Sequence, residues 1–438
     1  MRTRYVAAPL FLAILMFGVT GCSQDIWDRL FDSNDGVPLA KAGADPALAK
    51  EPVDSALAAG GNTFGINMLK LLVAEKPTEN VIISPTSITT ALGMAYNGAR
   101  GTNATEMAAM LGISEMSLQR YNEQSKILLS NLVYGDDKVL LEIANSVWAR
   151  RGVSFEEDFL SHLRHYFGAE SRTLDFADPA SLGIVNGWVK EKTHGKIPTI
   201  LDAIGPMDIM YLINAVYFNG TWRFQFDPEE TTDRTFTLPD GTTASIPTMH
   251  RHGEYDPEKR ESKYFGVYEG DGLKAASLKY GDDGRFTMIL LRPDDGIALA
   301  DFIAGITPEA WETWMNGFTE REAVVYLPKL ELEYKKSLVD PLKALGMTEA
   351  FMETADFTGM LKGMDIFISD VLHKTYLRVD EEGTEAAAVT AIIFETTSVP
   401  TPPPVIDLNR PFLMAIRDTH TGTILFMGTI NDPVIASS

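Results

Sequence analysis

Residue types able to make or break covalent bonds are thinly spread in this sequence. Seven histidines are scattered over 438 residues, and the single cysteine, Cys22, lies near the N-terminus. Nucleophilic hydrolysis needs Ser or Cys beside a His that a carboxylate orients. No Gly-x-Ser-x-Gly elbow occurs to present such a serine. His250 and His252 are two apart, so on a strand both face one way, but two ligands without a third make a poor metal site. These residues lead to the expectation that the chain is not an enzyme and needs no metal or other cofactor. Cys22 has a different chemistry open to it. Val19-Thr20-Gly21-Cys22 ends a segment with a basic start (Arg2, Arg4) and an apolar run from Ala7 to Val19, the pattern of a secretion signal.

Small residues before a lone cysteine resemble a bacterial lipobox, in which the cysteine becomes the lipidated first residue of the mature chain. Val19 stands where Leu is most common. Each buried methylene of an acyl chain adds about 0.8 kcal/mol, so several chains would hold the protein on a membrane. Ser23 and Gln24 follow, and the absence of Asp there favours the outer membrane of the cell envelope, with the extracellular space as the other destination. Residues 1–21 therefore read as signal peptide, and 22–60, rich in Ala, Asp, Pro and Gly, as a tether. Losing residues 1–21 removes two basic charges and no acid, taking the net charge from −22 to −24. Such an acidic chain without basic runs is a poor partner for nucleic acid.

The stretch with the most unusual pattern is Glu381 to Thr397, EEGTEAAAVTAIIFETT. With a period of two, one face carries Thr384, Ala386, Ala388, Thr390, Ile392 and Phe394, and the other Glu385, Ala387, Val389, Ala391, Ile393 and Glu395. The first is small, then apolar, and uncharged; the second holds both glutamates. That is the alternation of a strand with one buried and one wet face. Pro400, Pro402, Pro403 and Pro404 follow, and proline cannot donate to a sheet ladder. The stretch can be a strand but is tied to a segment that cannot, which is how a two-state element is written.

The elements around it predict a mixed α+β fold in one unit from about residue 61 to 438, helices mostly first and strands mostly later. Helices are expected from Asn62 to Val73, opened by Asn or Thr caps, from Ser84 to Tyr96, on to about Leu132, and over 155–167, 179–193, 298–317 and 338–345. Strands are expected at 81–83, 139–148, 207–218, 233–292 in short pieces, 323–329, 366–379 with a break near Asp370, 412–417 and 423–430.

Five stretches together give the body a strong resemblance to the serpins. They are Asn80 to Thr102 (NVIISPTSITTALGMAYNGARGT), Asn186 to Ile197 (NGWVKEKTHGKI), Leu212 to Trp222 (LINAVYFNGTW), His373-Lys374 through Glu385 to Ala388, and Arg410-Pro411-Phe412 with Thr421 to Gly428 (TGTILFMG). The resemblance implies about nine helices and three β-sheets, with a reactive centre loop (about 381–404) exposed above a five-stranded sheet A. It implies inhibition of serine-type endopeptidases as a suicide substrate. The protease cleaves the loop, is held as an acyl-enzyme, and is carried off as the loop enters sheet A. About fifteen residues at roughly 3.3 Å each span ~50 Å, comparable to the small protease being moved.

The resemblance also assigns residues. Glu381, Gly383, Thr384, Glu385, Ala386, Ala387, Ala388, Val389 and Thr390 match the hinge. Ser84, Ser87, Asn214 and His373 match the buried shutter cluster beneath the sheet, and Trp222, Lys329 and Glu381 the breach where the loop enters. Counting seventeen residues from Glu381 places the reactive bond at Thr397–Ser398, with Phe394, Glu395 and Val399 as alternatives. No Lys or Arg occurs between Arg378 and Arg410, so a trypsin-like pocket would leave its buried acid unpaired. Thr397 suits elastase-like or subtilisin-like proteases and Phe394 a chymotrypsin-like one; papain-like cysteine proteases are further candidates. The helix at 117–132 has only Arg120 and Lys126 as bases, so no heparin cofactor is expected, and the chain is expected to act as a monomer. The alternative on the same fold is a non-inhibitory surface protein with a binding or chaperone-like role.

Overall fold

The computed structural model describes residues 43–205, 207–256, 259–384 and 402–433. A short turn at Pro46–Leu48 leads into α1 (Ser55–Glu75), whose first turn is capped by Asp54 accepting from Ala56 N at 2.9 Å. The helix thus starts well before Asn62. Asn62 is buried inside it, donating to Gly422 O and accepting from Ile424 N, each at 2.9 Å. The expected tether also ends early. Asn131 donates to Leu48 O and Glu51 O at 3.1 and 2.9 Å, and Asp54 N donates to Gln124, so residues 45–54 are fastened to the fold. Their polar side chains cap and bond rather than solvate a free segment.

β1 (Val81–Ile83) follows, then α2 (Pro85–Tyr96), α3 (Gly101–Met110) and α4 (Leu118–Val133). Ser84 caps α2 and Pro85 takes its first position, where a missing N–H costs nothing. β2 (Val139–Arg150), α5 (Glu157–Phe167), β3 (Glu170–Leu174), α6 (Ala180–Lys192) and β4 (Met210–Thr221) complete the helix-rich half. The second half runs β5 (Thr232–Thr237), β6 (Thr243–Gly253), β7 (Tyr255–Asp256), β8 (Glu261–Ser262), β9 (Phe265–Gly270), β10 (Leu273–Lys279) and β11 (Phe286–Pro293). Then come α7 (Leu299–Gly305), α8 (Pro308–Gly317), β12 (Thr319–Arg321), β13 (Ala323–Pro328), β14 (Leu330–Ser337) and α9 (Val339–Ala344). The last strands are β15 (Leu372–Val379), β16 (Gly383–Thr384), β17 (Val405–Asp407), β18 (Phe412–Asp418) and β19 (Ile424–Ile430). The described residues thus hold nine α-helices.

One sheet has seven strands in the order β1-β19-β18-β11-β10-β9-β12, and its central strands are buried on both faces. A second runs β17-β13-β6-β5. The sheet expected to have five strands is divided. β16-β4-β2-β3 form one part and β14-β15 the other, and no ladder joins β4 to β15 among the described residues. β7 and β8 form a small ribbon. Two further expectations fail near the division. The strand read over 366–379 begins only at Leu372, since residues 366–371 line the mouth of the gap instead of pairing. β14, whose LELEYKKS carries charge on one face and Leu330 and Leu332 on the other, was not anticipated at all.

Candidate functional site: hinge, breach and shutter along the divided sheet

At the top of the division, Trp222 directly follows β4 and stacks on Tyr280, with ring centroids 4.3 Å apart and planes 14° from parallel. Its indole N–H donates to Asp380 O at 2.9 Å and its backbone N–H to Glu382 O at 2.8 Å. Phe226 N donates to Glu381 O at 2.9 Å. Three consecutive carbonyls at the end of β15 are therefore held by the segment beyond β4. The Glu381 carboxylate accepts from Lys329 Nζ at 2.7 and 3.0 Å and from the Thr231 hydroxyl at 2.8 Å. Burial works to raise its pKa, but the bonds from Lys329 and Thr231 outweigh it and hold the group below its ordinary value. Lys329 and Glu381 are thus bonded to each other, and Trp222 holds the carbonyls on either side of Glu381; Thr231, Asp380 and Tyr280, which no sequence motif had marked, complete the cluster.

The first residues of the loop are not exposed. Gly383 and Thr384 form β16 and pair antiparallel with β4, Gly383 opposite Thr221 and Thr384 opposite Gly220. Thr384 is 3% exposed, and its hydroxyl lies 3.1 Å from the Tyr280 hydroxyl. Gly383 has φ +148°, and a Cβ there would stand 2.1 Å from Gly220 O and 2.8 Å from Thr221 Cα. Both contacts are backbone, so nothing can turn away. Gly383→Ala is expected to unseat this pairing and loosen the Glu382 contact to Trp222. Trp222 fluorescence and susceptibility of residues 380–384 to limited proteolysis should both change; wild-type values for both would count against the seat. The remaining hinge positions Glu385 to Thr390, the candidate bond residues Phe394, Glu395, Thr397, Ser398 and Val399, and Cys22 lie outside the described residues.

Below β16, a cavity of about 600 Å³ opens between the start of β4 and residues 364–373. Ile88 and Leu92 of α2, Met210 and Leu212 of β4, and Met364 and Phe367 are among its lining residues. The four shutter residues line or adjoin it and form one network. Ser84 N donates to His373 Nε2 at 3.1 Å, and the Ser84 hydroxyl donates to Leu425 O at 2.6 Å while accepting from Ser87 N at 3.2 Å. The Ser87 hydroxyl donates to Asn214, whose amide donates to Asn145 at 2.6 Å, and Asn145 in turn donates to Phe167 O at 2.6 Å. Asn145 is the member that motif matching missed. Polar Asn145 and Ser146 inside the apolar run of β2 were its only signal.

His373 is 4% exposed, and burial pushes its pKa down to about 3. The ring is therefore neutral, with Nε2 free to accept from Ser84. In the unfolded chain it titrates near its ordinary value of about 6.5. Its contribution is fully present above that value and is lost as pH falls towards 3, at up to about 1.4 kcal/mol per pH unit. The thermal midpoint of the wild type should therefore fall relative to that of His373→Gln between pH 7 and pH 5. Parallel curves would remove His373 from the linkage.

Known proteins resemble this chain over most of its length. The family described as serpin (serine protease inhibitor) matches residues 59–433. The chain is 33% identical over 407 residues to an uncharacterised serpin-like protein of Thermococcus kodakarensis, covering 92% of this chain and 91% of the relative. It is 34% identical to human neuroserpin over 386 residues, covering 84% and 90%. The native-state crystal structure of tengpin, a thermophilic serpin, superposes with a TM-score of 0.77 at 30% identity, covering 87% of this chain and 95% of that one. On the family match over residues 59–433, the identity to these relatives and the shared fold, the chain belongs to the serpin family.

Proposed function

We propose that the protein inhibits serine-type endopeptidases as a suicide substrate, cut near Thr397–Ser398, with the loop entering the divided sheet as the strand between β4 and β15. The observation that carries this is β16, two loop residues already paired to β4 above an open slot. Continuing its register sets Ala386 opposite Phe218, Ala388 opposite Val216, Thr390 opposite Asn214, Ile392 opposite Leu212 and Phe394 opposite Met210. Beneath the upper positions the space is full, since Phe218 packs on Tyr280, Phe286 and Phe426 at 5.1–6.4 Å. Only small residues fit there, and the sequence supplies alanine. Beneath the lower positions lies the cavity, and there the sequence supplies Ile392 and Phe394. Side-chain size along the inward face follows the space available.

The test incubates the mature protein with elastase, subtilisin and chymotrypsin. A complex that survives denaturing electrophoresis, with a raised thermal midpoint for the cleaved chain, is the expected result. Clean cleavage with neither would sink the reading. Mass spectrometry of the released C-terminal peptide locates the bond among Phe394, Glu395, Thr397 and Val399.

We further propose that lipid on Cys22 anchors the chain to the bacterial cell envelope, placing the inhibitor at the cell surface. Cys22→Ser should move the protein from the membrane fraction to the soluble one with inhibition intact. Persistence in the membrane fraction would rule out the anchor.

A further inference from the structure

Gly43 lies against Gly168, the left-handed residue that ends α5: a Cβ on Gly43 would stand 2.4 Å from Gly168 Cα. Two residues on, Asp45 N donates to Ser130 of α4 at 2.9 Å. Residues 43–46 are therefore held between α4 and α5, and an open pocket of about 510 Å³ lies there, lined by these residues with Lys126, Ser161, Arg164 and His165. Its side chains are cationic in a chain with 60 acids to 38 bases. Neither Lys126 nor His165 has a carboxylate at ion-pair distance among the described residues, and Arg164 lies 4.0 Å from Glu157. Asp45 also lines the pocket, but its carboxylate is engaged, accepting from Ala47 N at 2.9 Å. Arg164 and His165 occupy the last turn of α5, where cations suit the helix dipole. Lys126 stands midway along α4, and no dipole accounts for it. Burial, and then the charges of Lys126 and His162, hold the His165 ring below its ordinary pKa, so the local field is positive. Tyr166 sets an aromatic ring beside His162 and His165, with centroids 5.8 and 4.6 Å away.

We propose that this pocket is the docking surface for the phosphate headgroups of an anionic membrane, the one that carries the lipid on Cys22. The proposal rests on the anchor reading above. Residues 23–42 separate Cys22 from Gly43, and a chain of that length reaches at most about 70 Å, so an anchored molecule keeps the pocket close to the bilayer. Lys126 and Arg164 are too few to gather the protein onto such a surface from solution. Tethering removes that need, because it presents the pocket to the surface at an effective concentration set by the linker. Each basic residue beside an anionic surface then strengthens the contact about fivefold. The rest of the chain acts in the same direction. At a net charge of −24 once residues 1–21 are lost, it is repelled by an anionic bilayer, so the orientation of least repulsion turns the cationic pocket towards the headgroups. Tyr166 suits that position too, since aromatic rings with a polar tip settle at headgroup level. The anchor thus holds the inhibitor at the surface, and the pocket decides which face is turned away from it.

The experiment uses the full mature chain with Cys22 coupled through its thiol to a maleimide-headgroup lipid in vesicles, so that anchoring is given and docking alone is tested. Vesicles of phosphatidylcholine are compared with vesicles that also hold phosphatidylglycerol. Surface lysines are acetylated with a water-soluble reagent and read residue by residue by mass spectrometry. On the anionic vesicles Lys126 should react several-fold more slowly than on the neutral ones. Lys76, just after α1 with its side chain 54% exposed, should react alike on both. Arg164→Glu and, independently, His165→Glu at an exposed position should each return Lys126 to its rate on neutral vesicles, with the thermal midpoint at the wild-type value. Equal Lys126 rates on the two kinds of vesicle would overturn docking while the anchor stands. The anchor falls separately, if Cys22→Ser stays in the membrane fraction of cells. Equal protection of Lys126 by inorganic phosphate in the unanchored Cys22→Ser chain would also overturn docking, since the pocket would then be a site for free phosphate.

Discussion

Thr384→Arg should turn the chain from an inhibitor that retains the protease into a substrate that releases it. Thr384 is almost fully buried, between β4 and the Tyr280 hydroxyl, and burial raises the Tyr280 phenol so that it stays protonated and able to donate. The space admits a two-carbon side chain with one hydroxyl. A guanidinium there has no acid within the set of contacts that Thr384 makes, and an unpaired buried charge costs several kcal/mol even after relaxation. The uncleaved variant can leave this seat and keep its guanidinium in water, so on the proposed mechanism the cost falls on insertion, which competes with hydrolysis of the acyl-enzyme; a barrier raised by about 1.4 kcal/mol slows insertion tenfold and hands most turnovers to hydrolysis. The denaturation-resistant complex should fall at least about tenfold, the loop should be cut at the same bond, and the cleaved chain should lose the gain in thermal midpoint. Thr384→Ser keeps the hydroxyl and should behave as wild type. Complex formation by Thr384→Arg at the wild-type level would show that Thr384 is not in the path of insertion.

What the sequence made legible was chemistry carried by residue type, and what it hid was chemistry carried by position. The alternation from Thr384 to Phe394 shows a period of two without any knowledge of the sheet, and family likeness places Trp222, Lys329 and Glu381 together before any distance is known. Tyr280 was passed over because Gly281-Asp-Asp-Gly284 after it signals a turn, and a turn signal says nothing of a ring stacked on Trp222. Thr231 follows Glu229 and Glu230 in a polar run, and only its place beside Glu381 gives its hydroxyl meaning. β14 escaped because Glu331, Glu333 and Lys335 alternate along one of its faces, so its pattern looks like a solvated segment. The gap between β4 and β15 is a pairing that is not made, and no residue in either strand encodes an absent ladder. The segment after α6 was legible only in part: NGWVKEKTHGKI marks the end of α6, but that His194 bonds Glu142 of β2 while Asp202 bonds Lys335 of β14 is a property of the assembled sheet.

Asn214→Ala should lower the stability of the uncleaved protein far more than that of the cleaved one. In the uncleaved structure Asn214 joins Ser87 to Asn145, and through Asn145 to Phe167 O. Removing its amide leaves the Ser87 hydroxyl and the Asn145 carbonyl without the partners they now have, and each buried polar group so left costs about 1–3 kcal/mol. The loss falls on the walls of the slot, so it favours whatever fills it, including early entry of the chain's own loop or that of a second copy. On the proposed insertion, a strand continuing the register of β16 would bring Thr390 opposite Asn214. In the variant its hydroxyl can then serve Ser87 in place of the missing amide, and the strand covers the Asn145 side from water. The uncleaved thermal midpoint should therefore drop by several degrees while the cleaved one moves by less than half as much, with oligomers or an inactive monomer accumulating on mild warming. Ser87→Ala orphans a single acceptor and should show the same asymmetry at smaller size. Equal losses in both states would mean that the network merely packs the core and does not hold the sheet against insertion.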